Sequence, residues 1–114
     1  MTELQIIARF SIHDGKLTEF KALAAKCVTS VREKDTGTLQ YDWFFSADET
    51  ECVVTEKYRD SAAIFEHIGN LGDLLGALAG TADMKLECFG NPSDELVAAT
   101  APMGVKIYSP FQSK

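Results

Sequence analysis

The stretch EKYRDSAAIFEH, from Glu56 to His67, joins the end of a predicted strand to the start of a predicted helix. Glu56 and Tyr58 are two positions apart, so they lie on the same face of the strand. Asp60 has a side chain that can cap the following helix. The apolar stripe of that helix includes His67, so this histidine lies on the face that packs inward. The stretch therefore predicts that Glu56 and His67 approach each other inside the fold.

The rest of the chain divides according to the period of its apolar residues. Strands are predicted over residues 4–12, 38–45, 51–58 and 84–89. These segments either alternate apolar and polar residues, as half-buried strands do, or are rich in residues that favour strands. Recurrence at three and four positions predicts a helix over residues 16–34 and further helix over residues 60–80. The order strand, helix, strand, strand, helix, strand predicts an α+β fold of the ferredoxin-like, split β-α-β type.

The strand over residues 38–45 carries most of the predicted aromatic surface. Its expected inward-facing residues are Leu39, Tyr41, Trp43 and Phe45. Gly37, just before this strand, is expected to close the preceding helix in the left-handed conformation. Phe44 and Ile7 leave apolar groups on the sheet face that the helices do not cover. A second copy of the chain, packed sheet against sheet, would cover that face.

The composition predicts one domain over residues 1–114, with residues 91–114 as a C-terminal helix–strand extension. A formal charge of −6 and the lack of a Lys/Arg cluster argue against nucleic acid as a partner. No segment approaches about eighteen consecutive apolar residues, so no membrane partner is expected. We expect Cys27, Cys52 and Cys88 to be reduced core residues, in keeping with a cytoplasmic location.

His67 and Glu56 are the candidate catalytic residues. A histidine can accept a proton near neutral pH, and a neighbouring carboxylate would fix its tautomer. Tyr41, Trp43 and Tyr58 are expected to line the pocket beside them. Two alternatives stay open: His67 is a core histidine satisfied by a carboxylate, and the aromatic residues are simply core. With two histidines far apart in sequence, no metal site is expected.

The pattern Glu56-x-Tyr58, then Ile64 and His67, preceded by Gly37-x-x-x-Tyr41, resembles the antibiotic biosynthesis monooxygenase family over residues 4–90. The resemblance implies a dimeric α+β barrel, that is, a homodimer whose sheets pack face to face, with a pocket between sheet and helices. It also implies that a small aromatic substrate such as a quinol or anthrone, or an enolisable compound, is deprotonated and reacts with dioxygen. No metal or flavin cofactor is implied. Ile64 is expected to contact the substrate, together with Tyr41, Trp43 and Tyr58.

Other functions are implied by other branches of the same superfamily. The run from Glu56 to Asp60 with Ala63 and His67 is also similar to an isomerase of a phosphorylated signal, for which Lys57 and Arg59 are the candidate cations. The haem-degrading branch would need an axial histidine where this chain reads Gly-Ala-Leu at residues 76–78, so haem binding is not expected. A non-catalytic dimer that binds a small molecule is the remaining alternative.

Overall fold

The computed structural model describes residues 2–114. Its first four strands and first three helices follow the predicted order, and a fourth helix, a short 3-10 turn and a fifth strand come after them. The elements are β1 (Leu4–Ile12), α1 (Leu17–Lys34), β2 (Thr38–Phe45), β3 (Glu51–Tyr58), α2 (Ser61–Leu71), α3 (Asp73–Ala79), β4 (Ala82–Phe89), α4 (Asp94–Thr100), the 3-10 turn (Ala101–Met103) and β5 (Lys106–Tyr108).

All five strands form one sheet in the order β2-β3-β1-β4-β5. The first four strands pair antiparallel, and β5 joins the free edge of β4 in parallel. This arrangement confirms the predicted α+β, ferredoxin-like topology, to which the C-terminal segment adds one edge strand. Across residues 2–114 no helix combines the length and the apolar character needed to cross a bilayer.

The helices cover the sheet face that carries the alternating apolar residues of β1 and β3. Phe10 of β1 meets Phe20 of α1 edge to face, with ring centroids 5.2 Å apart. At the other end of the sheet, Leu4 and Tyr58 pack with Leu96 of α4 in a second buried cluster. Burial of these side chains is the main favourable term for such a fold, at roughly 25 cal/mol per Å² of apolar surface. All four helices therefore share one face of the sheet.

The three cysteines are free and buried, as predicted. Cys27 of α1 and Cys52 of β3 belong to the larger core cluster, and Cys88 of β4 belongs to the smaller one. Burial raises the pKa of the Cys27 and Cys52 thiols to about 11. Both thiols are therefore protonated at neutral pH, which is typical of structural cysteines rather than nucleophiles.

Two local expectations differ from the structure at the start of β2. Gly37 does not adopt a left-handed conformation; a Cβ at this position would lie 2.5 Å from the Cβ of Ala63, so glycine is needed for the close approach of β2 to α2. The pairing of β2 with β3 shifts register between Thr38 and Gln40. Leu39 is the extra residue at this bulge and is 56% exposed, so it does not share the inner face with Tyr41.

The outer face of the sheet is left without helices. Phe44 of β2 is 56% exposed there, and Ile7 of β1 and Val53 of β3 point the same way and are partly exposed. Phe89 and Tyr108 stack at the far edge, with ring centroids 5.0 Å apart. This face matches the apolar surface predicted from the sequence.

Candidate active site

A cleft lies between the inner face of the sheet and the helices, with an empty volume of about 820 Å³ that includes solvent at its opening. Its floor includes one row of side chains that crosses every strand. The cross-strand pairs of the sheet give this row as Tyr41, Glu56, Ile6, Cys88 and Ile107. The six residues predicted from the sequence all line the cleft, namely Tyr41, Trp43, Glu56, Tyr58, Ile64 and His67. The structure therefore brings them together.

His67 of α2 is held by Asp35. Its Nδ1 lies 2.9 Å from Oδ2 of Asp35, whereas its Nε2 lies 3.9 Å from Oε1 of Glu56, beyond hydrogen-bond distance. Glu56 is the residue predicted to fix the histidine tautomer, but in the structure Asp35 makes this hydrogen bond instead. An ionised carboxylate can only accept, so Nδ1 carries the proton and Nε2 keeps its lone pair.

Asp35 is positioned by the end of α1. It is the C-cap residue of that helix, and its side chain, 1% exposed, accepts hydrogen bonds from Thr38 and Asn70 as well as from His67. Burial alone would raise the pKa of Asp35, but these hydrogen bonds outweigh burial and lower the pKa below its ordinary value of 3.8. Asp35 is therefore a stable anion at neutral pH.

His67 itself is neutral in this setting. Burial lowers the pKa of His67 below its ordinary value of 6.5, although the Asp35 carboxylate acts in the opposite direction. The ring is only 6% exposed and meets the rings of Tyr41 and Tyr58 edge to face, with centroids 5.1 Å apart in both pairs. A neutral, fixed imidazole with an unprotonated Nε2 is suited to accept a proton from a bound molecule.

Glu56 is the second titratable group of the cleft. It is buried, and the hydroxyl of Tyr58 donates a short hydrogen bond to its Oε1. Burial raises the pKa of Glu56 from its ordinary value of 4.5 to about 7, the Tyr58 hydrogen bond acts against this rise, and the negative charge of Asp35 adds to it. Burial and the nearby Glu56 carboxyl also raise the pKa of Tyr58, which keeps its proton. Glu56 can therefore exchange a proton near neutral pH.

Tyr41 and Trp43 form the aromatic wall at the β2 side of the cleft, with ring centroids 5.7 Å apart. Burial raises the pKa of Tyr41, so its hydroxyl stays protonated. The indole nitrogen of Trp43 is buried and has no hydrogen-bond partner among the described residues. Within residues 2–114 no three or more His, Cys, Asp or Glu side chains are grouped to hold a metal ion.

Sequence reasoning missed Asp35. The run Asp35-Thr36-Gly37 indicates only where α1 ends, and nothing in it distinguishes an aspartate that ends a helix from one that also holds a histidine 32 positions later. A signal exists in hindsight, because polar Asn70 follows His67 by one helical turn and bonds the same carboxylate. Two polar residues three positions apart on an inward-facing helix side indicate polar partners on the element packed against them.

Residues 4–70 match the antibiotic biosynthesis monooxygenase family, and these residues include the cleft's polar end. The chain belongs to this family. Among curated proteins it is similar to Rv0793 of Mycobacterium tuberculosis, provisionally named a monooxygenase, at 37% identity over 65 residues. That similarity covers 57% of this chain and 63% of Rv0793, less than two thirds of its length.

Several solved structures share the fold. MupZ from Pseudomonas fluorescens is similar with a TM-score of 0.86 and 22% identity, over 100% of this chain and 94% of MupZ. Rv0793 has a TM-score of 0.70 and 27% identity, over 82% of this chain and 97% of the solved chain. SnoaB from Streptomyces nogalater, a cofactor-independent oxygenase, has a TM-score of 0.68 and 18% identity, over 82% of this chain and 96% of SnoaB.

Proposed function

We propose that this antibiotic biosynthesis monooxygenase family member is a cofactor-independent monooxygenase that acts on a small aromatic, quinol-like or anthrone-like, or enolisable substrate. The observation that carries the proposal is a neutral His67 whose free Nε2 lies at the polar end of an otherwise apolar cleft. Dioxygen reacts readily with electron-rich carbanions and phenolates, so the protein has to supply a base and a dry cavity.

In the first step, Nε2 of His67 accepts a proton from the acidic carbon or hydroxyl of the substrate. Asp35 stabilises the imidazolium that forms, because its carboxylate is ionised and already bonded to Nδ1. The apolar walls of the cleft exclude water, which strengthens this pairing and favours a delocalised anion over a hydrated one. His67 is thus the proposed base and Asp35 its positioning residue.

In the second step, the substrate anion donates electrons to dioxygen and forms a carbon–oxygen bond. For an anthrone-like CH₂ group, one oxygen atom becomes the carbonyl oxygen of the product. The other oxygen leaves as water, with the two hydrogens that the carbon loses. His67 returns its proton to the departing oxygen. Glu56, whose Oε1 lies 3.9 Å from Nε2 of His67, can accept or supply a proton as the oxygen–oxygen bond breaks.

A proton-shuttling isomerase of a neutral keto compound is the second candidate, favoured by two proton-exchanging groups, Glu56 and His67, only 3.9 Å apart. The phosphorylated substrate considered from the sequence has less support. Lys57 points to the outer face of the sheet, and exposed Arg59 lies 3.6 Å from Asp60. Neither cation is among the described residues that line the cleft.

Oxygen uptake tests the proposed function. Purified, chelator-treated protein should consume dioxygen above the buffer rate with at least one member of a panel of hydroquinones and anthrones, at one dioxygen per substrate molecule. The same compounds, together with enolisable ketones, are then incubated under nitrogen. Isomerisation without oxygen would favour the isomerase, and the absence of both reactions would favour a non-catalytic module that binds a small molecule.

A homodimer is part of the proposal, and so is a cytoplasmic location. The exposed Phe44 on the outer sheet face supports the dimer, because monomers rarely leave such strand faces uncovered. Sedimentation equilibrium should therefore give twice the chain mass of 12.5 kDa, and a single-chain mass at micromolar concentration would contradict it. The three free cysteines fit a reducing compartment, which fractionation of producing cells would test.

A further inference from the structure

The cleft carries its carboxyl and imidazole groups at only one of its ends. Along the row of side chains on its floor, Tyr41 and Glu56 stand at the β2–β3 end, and Ile6, Cys88 and Ile107 follow toward β5. Three strand-to-strand steps separate Glu56 from Ile107, which at about 4.8 Å per step is about 14 Å. Glu56 and His67 are the acid–base groups at this end, beside the hydroxyls of Tyr41 and Tyr58, and no Lys or Arg is among the described residues lining the cleft.

The opening of the cleft lies at the opposite end from the titratable groups. Three lining residues are the most exposed of the set: Val97 at 37%, Met103 at 37% and Ile107 at 38%. At the other end, Glu56 is 7% and His67 6% exposed. A molecule that enters through the exposed end therefore places one terminus deep against Glu56 and His67 and leaves the other terminus among the residues of the opening.

The C-terminal segment builds this opening. Val97 comes from α4, Met103 from the 3-10 turn and Ile107 from β5. The segment is fixed to the rest of the fold: the backbone N–H of Ser93 bonds Oγ of Ser61, and the backbone N–H of Gly90 bonds the carbonyl of Tyr108. It also lies outside residues 4–70, the part of the chain that matches the family.

We propose that residues 94–108 form a specificity wall that holds the apolar end of an elongated, uncharged substrate with one polar end. The inference deepens the proposed function and rests on it for the reaction at the polar end, but it concerns binding. A charged terminus is disfavoured by the apolar lining, because the wall offers no counter-charge to offset desolvation. Each methylene buried there should raise affinity about fourfold.

The test uses 1-alkanols as probes, because they carry one polar end and neither react with dioxygen nor absorb near tryptophan. Binding is followed through the fluorescence of Trp43, the single tryptophan of the chain, which lines the cleft. We expect affinity to rise from 1-butanol through 1-hexanol to 1-octanol, and octanoate at pH 8 to bind at least tenfold more weakly than 1-octanol.

Two variants place the same ring on opposite faces of one strand. Ile107→Phe narrows the distal end and should reduce the gain in affinity between 1-butanol and 1-octanol at least tenfold. Lys106→Phe places the ring on the outer face of β5, so the increase in affinity from 1-butanol to 1-octanol should stay as large as in the unmodified protein. Val97→Phe narrows the same end from α4 and serves if Ile107→Phe does not fold, as judged by its melting temperature.

Equal affinity for 1-butanol and 1-octanol in the unmodified protein would overturn the proposal. The proposal would also be overturned if the increase in affinity from 1-butanol to 1-octanol were as large in Ile107→Phe or Val97→Phe as in Lys106→Phe. Because binding is measured without turnover, the two proposals fail separately. If affinity depends on alkanol length but no oxygen is consumed, the oxygenase proposal is wrong and the specificity wall is supported. If oxygen is consumed but affinity does not depend on length, the specificity wall is wrong and the oxygenase proposal is supported.

Discussion

His67→Gln is expected to lower the rate of substrate-dependent oxygen uptake at least about a hundredfold, the usual contribution of a positioned general base. Glutamine has nearly the size of histidine, and its amide can donate the hydrogen bond that Asp35 now receives from Nδ1. The variant therefore removes the free lone pair at Nε2 while it retains a partner for the buried carboxylate. We expect the melting temperature to change little in comparison with the rate.

The matched control is His13→Gln, at the other histidine of the chain. His13 lies outside the cleft, and its side chain is 41% exposed beside Asp83, 3.0 Å away. The control should keep the full rate. Asp35→Asn provides a second check, because an asparagine amide can donate to Nδ1 and favour the wrong tautomer; we expect a loss of about tenfold or more. Loss of stability in His67→Gln that fully accounts for its lost activity would instead make His67 a structural residue.

Glu56→Gln is expected to remove a pH dependence of stability worth about 3 kcal/mol. This figure corresponds to the difference between an ordinary pKa of 4.5 in the unfolded chain and the raised pKa of about 7 in the folded protein. Glutamine keeps the acceptor for the Tyr58 hydroxyl but has no charge to bury. The variant should therefore be the more stable protein at pH 8.

The sign follows from proton binding. The folded protein holds the Glu56 proton more tightly than the unfolded chain. The contribution of Glu56 to the free energy of unfolding is therefore highest below pH 4.5 and is lost as the pH rises through about 7. His67 acts in the opposite sense: its lowered pKa gives stability above its ordinary value of 6.5 that is lost as the pH falls through the lowered value. His67 is present in both proteins, so its effect largely cancels in their difference.

Urea unfolding between pH 5 and pH 8 measures this effect. The unmodified protein should lose about 2 to 3 kcal/mol relative to Glu56→Gln across that range, mostly below pH 7. Glu51→Gln, at an exposed position on the same strand, should follow the unmodified protein. Parallel curves for all three proteins would mean that Glu56 is not held with a raised pKa.

The elements of the fold could be predicted from local patterns. The alternation in β1 and the three-and-four recurrence in α1 each depend on residues within one segment, and burial of one face stabilises such patterns directly. Asp60 caps α2 as predicted, because the cap contacts only the next turn. Leu39 was placed wrongly, since a bulge depends on how two strands pair and not on either strand alone.

The sequence by itself determined the order of elements, the inward position of His67 on α2 and the alternation that puts Glu56 and Tyr58 on one face of β3. These follow from the helical and strand periods of contiguous residues. Only the tertiary structure decided that Asp35 rather than Glu56 bonds His67, and that the C-terminal segment forms the opening of the cleft. Both depend on how the end of α1 packs against α2 and how β5 pairs with β4. These contacts join residues that are distant in the chain, so the periodicity of a single segment cannot predict them.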